Sequence, residues 1–155
     1  MGNDTLQSVI DLAIQREEEA HNFYLNLCNL VGDKAAKDTL KYLAEEEAGH
    51  KAFLVKCKEQ MSCDVALRPD LPVDYKVAEH LRQPDVKKNM NSEEVFLVAA
   101  NREVNAHNFY KGLADLYPKG PVKKLLLRMA NEEMKHKEKV EYLYTNTAFP
   151  QTQGG

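Results

Sequence analysis

The chain has 155 residues, 43% of them hydrophobic and 29% charged, with a formal net charge of −3. That length predicts one domain with a real core, and the charge balance gives no basic footprint for nucleic acid. No apolar run approaches the roughly 18 residues of a membrane span, and the start, Met1-Gly2-Asn3-Asp4-Thr5, lacks a signal-peptide pattern, so a cytoplasmic protein is expected.

Asp4-Thr5-Leu6-Gln7 reads as a helix start, with Asp4 as the capping residue. From there Val9, Ile10, Ala13, Glu17, Ala20, Tyr24 and Leu27 recur at steps of three and four, one helical stripe interrupted by a carboxylate. Gly32-Asp33 breaks the pattern, and Asp33 can cap a second helix on which Leu40, Leu43, Glu47, His50 and Leu54 share a face. Residues 62–91 lose the periodicity and carry Pro69, Pro72 and Pro84, with Val77–Leu81 fit for one short helical turn. A segment of about thirty residues is too long for a hairpin loop and suits a crossover along a bundle. Asn91-Ser92-Glu93-Glu94 offers caps for a third helix, whose stripe is Val95, Phe96, Ala99, Glu103, Ala106, Tyr110 and Leu113. Pro118 stops that helix, and Pro121 suits the first turn of a fourth, with Leu126, Met129, Glu133, His136 and Val140 on one face. The chain from Thr145 reads as frayed, with residues 147–155 a flexible tail. The three cysteines, Cys28, Cys57 and Cys63, form no Cys-x-x-Cys pair and read as free thiols.

The chain repeats itself. A shift of 86 residues lays Gln15–Tyr24 on Asn101–Tyr110, Glu47 on Glu133 and His50 on His136, with 18 identities over the 51 positions from residues 7–57. The repeat predicts a duplicated helical hairpin, hence an all-α four-helix bundle with hairpins 4–61 and 92–146 joined by the crossover 62–91. It brings four glutamates and two histidines to the bundle centre. Burying four unpaired carboxylates would cost more than the roughly 5–15 kcal/mol by which a domain is stable. Something positive must sit between them, or they must be partly protonated; no Lys or Arg stands on the four inward stripes, so metal cations are the economical counter-charge. One Glu from each of two helices plus Glu-x-x-His from each of the other two is the donor inventory of di-iron and di-manganese carboxylate bundles, and carboxylate with imidazole suits iron or manganese.

With these motifs in register the chain resembles the rubrerythrin branch of the ferritin-like superfamily, through Glu17-x-x-Ala20-x-x-x-Tyr24, Glu103-x-x-Ala106-x-x-x-Tyr110 and both Glu-x-x-His motifs across nearly all of residues 5–145. The resemblance implies a ferritin-like fold and two metal ions, iron first, with manganese or a mixed pair as alternatives. Glu17 and Glu103 would be terminal ligands, Glu47 and Glu133 bridging ones, and His50 and His136 would each hold one ion. It also implies reduction of hydrogen peroxide or O2. The chain shows no rubredoxin segment, so electrons would come from an external donor such as a rubredoxin. It also has Ala106 where the family carries an additional glutamate. A ferroxidase that handles iron and a di-iron hydroxylase are the competing functions. Tyr24 and Tyr110 are placed to hydrogen-bond ligand carboxylates or carry an electron. His21 and His107 read as orienting groups or partly exposed helix residues, and Arg16 and Arg102 as partners of acidic neighbours. Glu18, Glu19, Glu45 and Glu46 read as solvated. A homodimer is expected, with hairpin exchange between chains allowed by the long crossover.

Overall fold

The computed structural model describes residues 2–60, 74–81 and 83–148. Five helices carry them: α1 (Gly2–Leu30), α2 (Lys34–Gln60), α3 (Val77–His80), α4 (Ser92–Ala114) and α5 (Pro121–Ala148), with no strand among the described residues. The packing is most extensive inside the two hairpins, α1 with α2 and α4 with α5. Local signals set several ends. Asp33 accepts the Ala36 amide at 2.9 Å, Asn91 and Glu94 close a capping box at the start of α4, and Pro121 opens α5. Two ends differ from expectation. α1 starts at Gly2, which puts Asp4 within the helix and not at its cap. α5 runs to Ala148, past Thr145, and the Thr145 and Thr147 hydroxyls donate back to the Tyr142 and Leu143 carbonyls. Cys63, Pro69, Pro72 and residues 149–155 lie outside the described residues.

Side-chain pairings fix the relative directions of the helices. Tyr24 meets Glu103 and Tyr110 meets Glu17, so α1 and α4 run antiparallel. His136 meets Glu47 and His50 meets Glu133, so α2 and α5 do as well. With α1 and α2 antiparallel within their hairpin, α2 and α4 point the same way, and the chain must travel the bundle's length between them, about 40 Å at 1.5 Å per residue. The crossover arrives where α1 ends, with the Asn89 amide donating to the Leu30 carbonyl. Asn89 takes a left-handed conformation there (φ 63°), which asparagine tolerates.

Two apolar clusters fill the bundle. One, at the end where α1 finishes, holds Tyr24, Leu27, Leu40, Leu43, Val95 and Val140. The other, at the opposite end, holds Ile10, Leu54, Tyr110, Leu125 and Met129. The residues between them on the same stripes are the glutamates and histidines. Cys28 is a free buried thiol, but Cys57 is disulfide-bonded, which corrects the reading of three free thiols. An odd count leaves one thiol over without forbidding a pair.

One buried charge was not anticipated. Lys137 is fully buried beside the inward stripe of α5, and its ammonium pairs with Asp74, with Glu79 of α3 and with Glu141 one turn on. Glu141, also buried, accepts the Ala78 amide at 2.7 Å and so satisfies the start of α3. This cluster fastens the crossover to α5. Hydrogen bonds and the facing acids outweigh burial and raise the Lys137 pKa, while the ammonium holds the Asp74 carboxyl below its usual range. The Lys137 contribution is therefore complete below its ordinary pKa of 10.5 and is lost as pH rises through the raised value. The Asp74 contribution is present above 3.8 and is lost as pH falls through the lowered one. Lys137→Ala leaves Glu141 buried without a counter-charge, and denaturant unfolding at pH 7 is expected to show a loss of about 3–5 kcal/mol. Lys137→Met combined with Glu141→Leu is expected to recover only part of it, because the buried Ala78 amide then loses its acceptor.

Candidate metal centre

Helical spacing does the first part of the assembly. Glu47 and His50, and likewise Glu133 and His136, stand one turn apart, so carboxylate and imidazole leave the same face of their helix. The bundle does the rest, bringing α1 and α4 carboxylates to the same layer. Glu17, Glu47, Glu103 and Glu133 are each at most 2% exposed. His50 Nδ1 lies 3.5 Å from Glu17, 3.6 Å from Glu47 and 3.4 Å from Glu133. His136 Nδ1 lies 3.1 Å from Glu47, 3.5 Å from Glu103 and 3.9 Å from Glu133. The two rings stack, with centroids 5.1 Å apart and planes 7° from parallel. All six residues singled out in the sequence thus meet at one place.

Their donor atoms fall into two groups, Glu17, Glu47, His50 and Glu133 in one and Glu47, Glu103, Glu133 and His136 in the other, each within 4.8 Å. Glu47 and Glu133 belong to both. Glu17 Oε2, Glu47 Oε2, Glu103 Oε2, Glu133 Oε1 and His50 Nδ1 are buried without a hydrogen-bond partner. Buried polar atoms are ordinarily satisfied, so five orphans at one point mark a missing partner. Most nitrogen–oxygen gaps of 3.4–3.9 Å are too long for hydrogen bonds and suit two ligands on either side of an ion at about 2.0–2.2 Å. The donor set fits two metal ions.

The crowding also shows in the acidities. Burial and the Glu103 charge push Glu47 up to about 7, and burial with the charges of Glu47, Glu103 and Glu17 pushes Glu133 well above the carboxylate range. Burial also acts to raise Glu17, but the facing Glu47 and the charge of His50 prevail and hold it at about 2. Glu103 is lowered in the same way, with the His136 charge overcoming burial. Both imidazoles are raised against their burial, His50 to about 9 by Glu17 and Glu47, and His136 by Glu103 and Glu47.

Tyr24 and Tyr110 cross between the hairpins. Tyr24 donates to Glu103 at 2.6 Å and Tyr110 to Glu17 at 3.0 Å. Burial and the adjacent carboxylates push both hydroxyls well above their ordinary range, so both remain donors. A cavity of about 280 Å³ reaches the four carboxylates from the side of α1 and α4. Its walls include Ala20 and Phe23 of α1, Ala106 of α4 and Gln83 of the crossover, with Arg16 and Arg102 also lining it. The histidines do not line the cavity, which places them behind the carboxylates.

The profile of the rubrerythrin family matches residues 2–91 and 94–152. The chain belongs to the rubrerythrin family. A solved structure, a hypothetical protein from Pyrococcus furiosus, is 23% identical, covers 98% of this chain and 96% of its own, and superposes with a TM-score of 0.60, which speaks for a shared fold. No curated protein matches.

The repeat extends to further pairs of side chains. His21 Nδ1 donates to the Ala44 carbonyl and His107 Nδ1 to the Ala130 carbonyl, so both histidines tie the helices of their own hairpin. Arg16 stacks on Phe109 at 3.7 Å and Arg102 on Phe23 at 4.2 Å, in place of the acidic partners expected for them. The signal was available, because Arg and Phe recur at the same register in both halves, but only packing shows that they cross between hairpins. Glu46 accepts a surface hydrogen bond from Tyr42 one turn before it, at 2.8 Å.

Metal-free protein binds more protons folded than unfolded over the range where Glu47 and His50 titrate, from their ordinary 4.5 and 6.5 to about 7 and 9. Its stability must therefore fall as pH rises through that range. Calorimetry of the chelator-treated protein is expected to show Tm dropping between about pH 5 and pH 9, with the drop reduced in Glu47→Gln.

Proposed function

We propose that this rubrerythrin is a di-iron oxidoreductase that reduces hydrogen peroxide with electrons from an external donor protein. The observation that carries the reading is the pair of donor groups sharing Glu47 and Glu133, since sharing is what a bridged pair of ions requires. Glu17 and His50 would complete one position, Glu103 and His136 the other, with Glu47 and Glu133 reaching both ions. Carboxylate and imidazole donors favour iron, and manganese or a mixed pair fits the same set. When bound, two ferrous ions supply the two electrons that convert hydrogen peroxide and two protons into two water molecules.

The chain's own residues have separate tasks in this reading. Tyr24 and Tyr110 hold the terminal carboxylates in orientation by hydrogen bonds from the opposite hairpin. The two apolar clusters keep water from the layer except through the cavity. That cavity leaves the carboxylate side open to a small oxidant. Rubredoxin is the natural class of donor. A cytoplasmic homodimer, with or without exchanged hairpins, belongs to the same reading; no described helix is long and apolar enough to cross a membrane.

Iron analysis of reconstituted protein is expected to give two ions per chain. Glu47→Ala, which removes a donor from both groups, should lower that to fewer than one. Loading at pH 7 should release protons, because both imidazoles hold theirs above neutrality without metal. In stopped flow, peroxide should oxidise the di-ferrous protein at least ten times faster than O2 does. Peroxide reacting no faster than O2, together with uptake of many irons per chain, would assign the site to iron handling instead.

A further inference from the structure

The cavity is larger than hydrogen peroxide needs. Its volume of about 280 Å³ is roughly nine times the ~30 Å³ a water molecule takes up in the liquid. The space exists because of two alanines that the repeat places in matching positions. Ala20 follows Glu17 by three residues and precedes Tyr24 by four, and Ala106 stands likewise between Glu103 and Tyr110. Those spacings put each alanine on the same helix face as a buried carboxylate and a buried tyrosine, and both alanines line the cavity. A longer side chain at either position would grow into the space in front of the carboxylates. The rim is amphipathic. Phe23 lines it beside Arg16 and Arg102, whose guanidiniums stack on Phe109 and Phe23 and make no ion pair among the described residues.

We propose that the cavity accepts small organic hydroperoxides as well as hydrogen peroxide, and that Ala20 and Ala106 set the size of the alkyl group admitted. The proposal rests on the di-iron peroxide reading. In the reaction ROOH takes two electrons from the ferrous pair, replenished by a one-electron donor protein, and two protons from solvent. The O–O bond breaks, one oxygen leaves as water, and the other stays on carbon as the alcohol ROH. The alkyl group occupies the alanine-walled space, beside the Phe23 ring and the two stacked guanidiniums.

The test uses tert-butyl hydroperoxide and its product alcohol. Wild-type di-iron protein should turn over tert-butyl hydroperoxide, and in Ala106→Leu and Ala20→Leu the ratio of its kcat/KM to that of hydrogen peroxide should fall tenfold or more, the scale set by a few methylene groups in a shaped pocket. A readout independent of turnover is saturation-transfer NMR with tert-butanol on the zinc-loaded protein, which should show contact in wild type and lose it in Ala106→Leu. Ala106→Val gives a smaller step in both measurements should leucine disturb folding. Consumption of hydrogen peroxide without tert-butyl hydroperoxide overturns this proposal alone, as does an unchanged ratio in the variants. Consumption of neither overturns the peroxide reading and this inference with it.

Discussion

The structure depends on one electrostatic constraint: four carboxylates held in a layer between two apolar clusters. Glutamate does not enter such a place without positive charge, and the six donors are arranged so that both histidines reach three carboxylates each. In the metal-free protein, protons held on imidazole and on the shared glutamates ease the repulsion, and the acidities of Glu47, Glu133, His50 and His136 all move in the direction that keeps those protons. The same groups are the ones that two cations would relieve. A layer so crowded with negative charge favours cations, and its geometry is in place for them because the helices hold the side chains there.

That readiness comes from cross-hairpin contacts more than from the hairpins themselves. Each half supplies one arm of the site, but Tyr24 reaches Glu103, Tyr110 reaches Glu17, and each arginine stacks on the other half's phenylalanine. The hydroxyl that reaches Glu17 or Glu103 comes in each case from the opposite half. The duplicated hairpin is therefore a symmetric device, and its symmetry explains why the carboxylates face a single cavity from both sides.

The crossover breaks the symmetry. Lys51 and Lys137 are equivalent in the repeat, yet Lys51 pairs with Glu18 at the surface while Lys137 is sealed among Asp74, Glu79 and Glu141. Among the described residues, the crossover meets Lys137 through Asp74 and Glu79. The histidines differ too: His50 is 14% exposed and lies 3.9 Å from Glu132, whereas His136 is 4% exposed. Equivalent positions thus take different environments, because Glu141 stands where the first half has Val55 and because, of the two lysines, Asp74 and Glu79 meet Lys137 alone.

By itself the sequence determined the helices, the inward stripes, the caps at Asp33 and Asn91, and the six donors, because helical periodicity and the 86-residue register are local or repeat-level facts. The buried Lys137, the arginine–phenylalanine stacks, the hydrogen bonds of His21 and His107, the disulfide at Cys57 and the cavity walled by Ala20 and Ala106 were decided only by the tertiary structure. Each of these depends on which helix lies against which, and on where a non-periodic segment lands. Period and register place residues on a face. They do not say what that face meets.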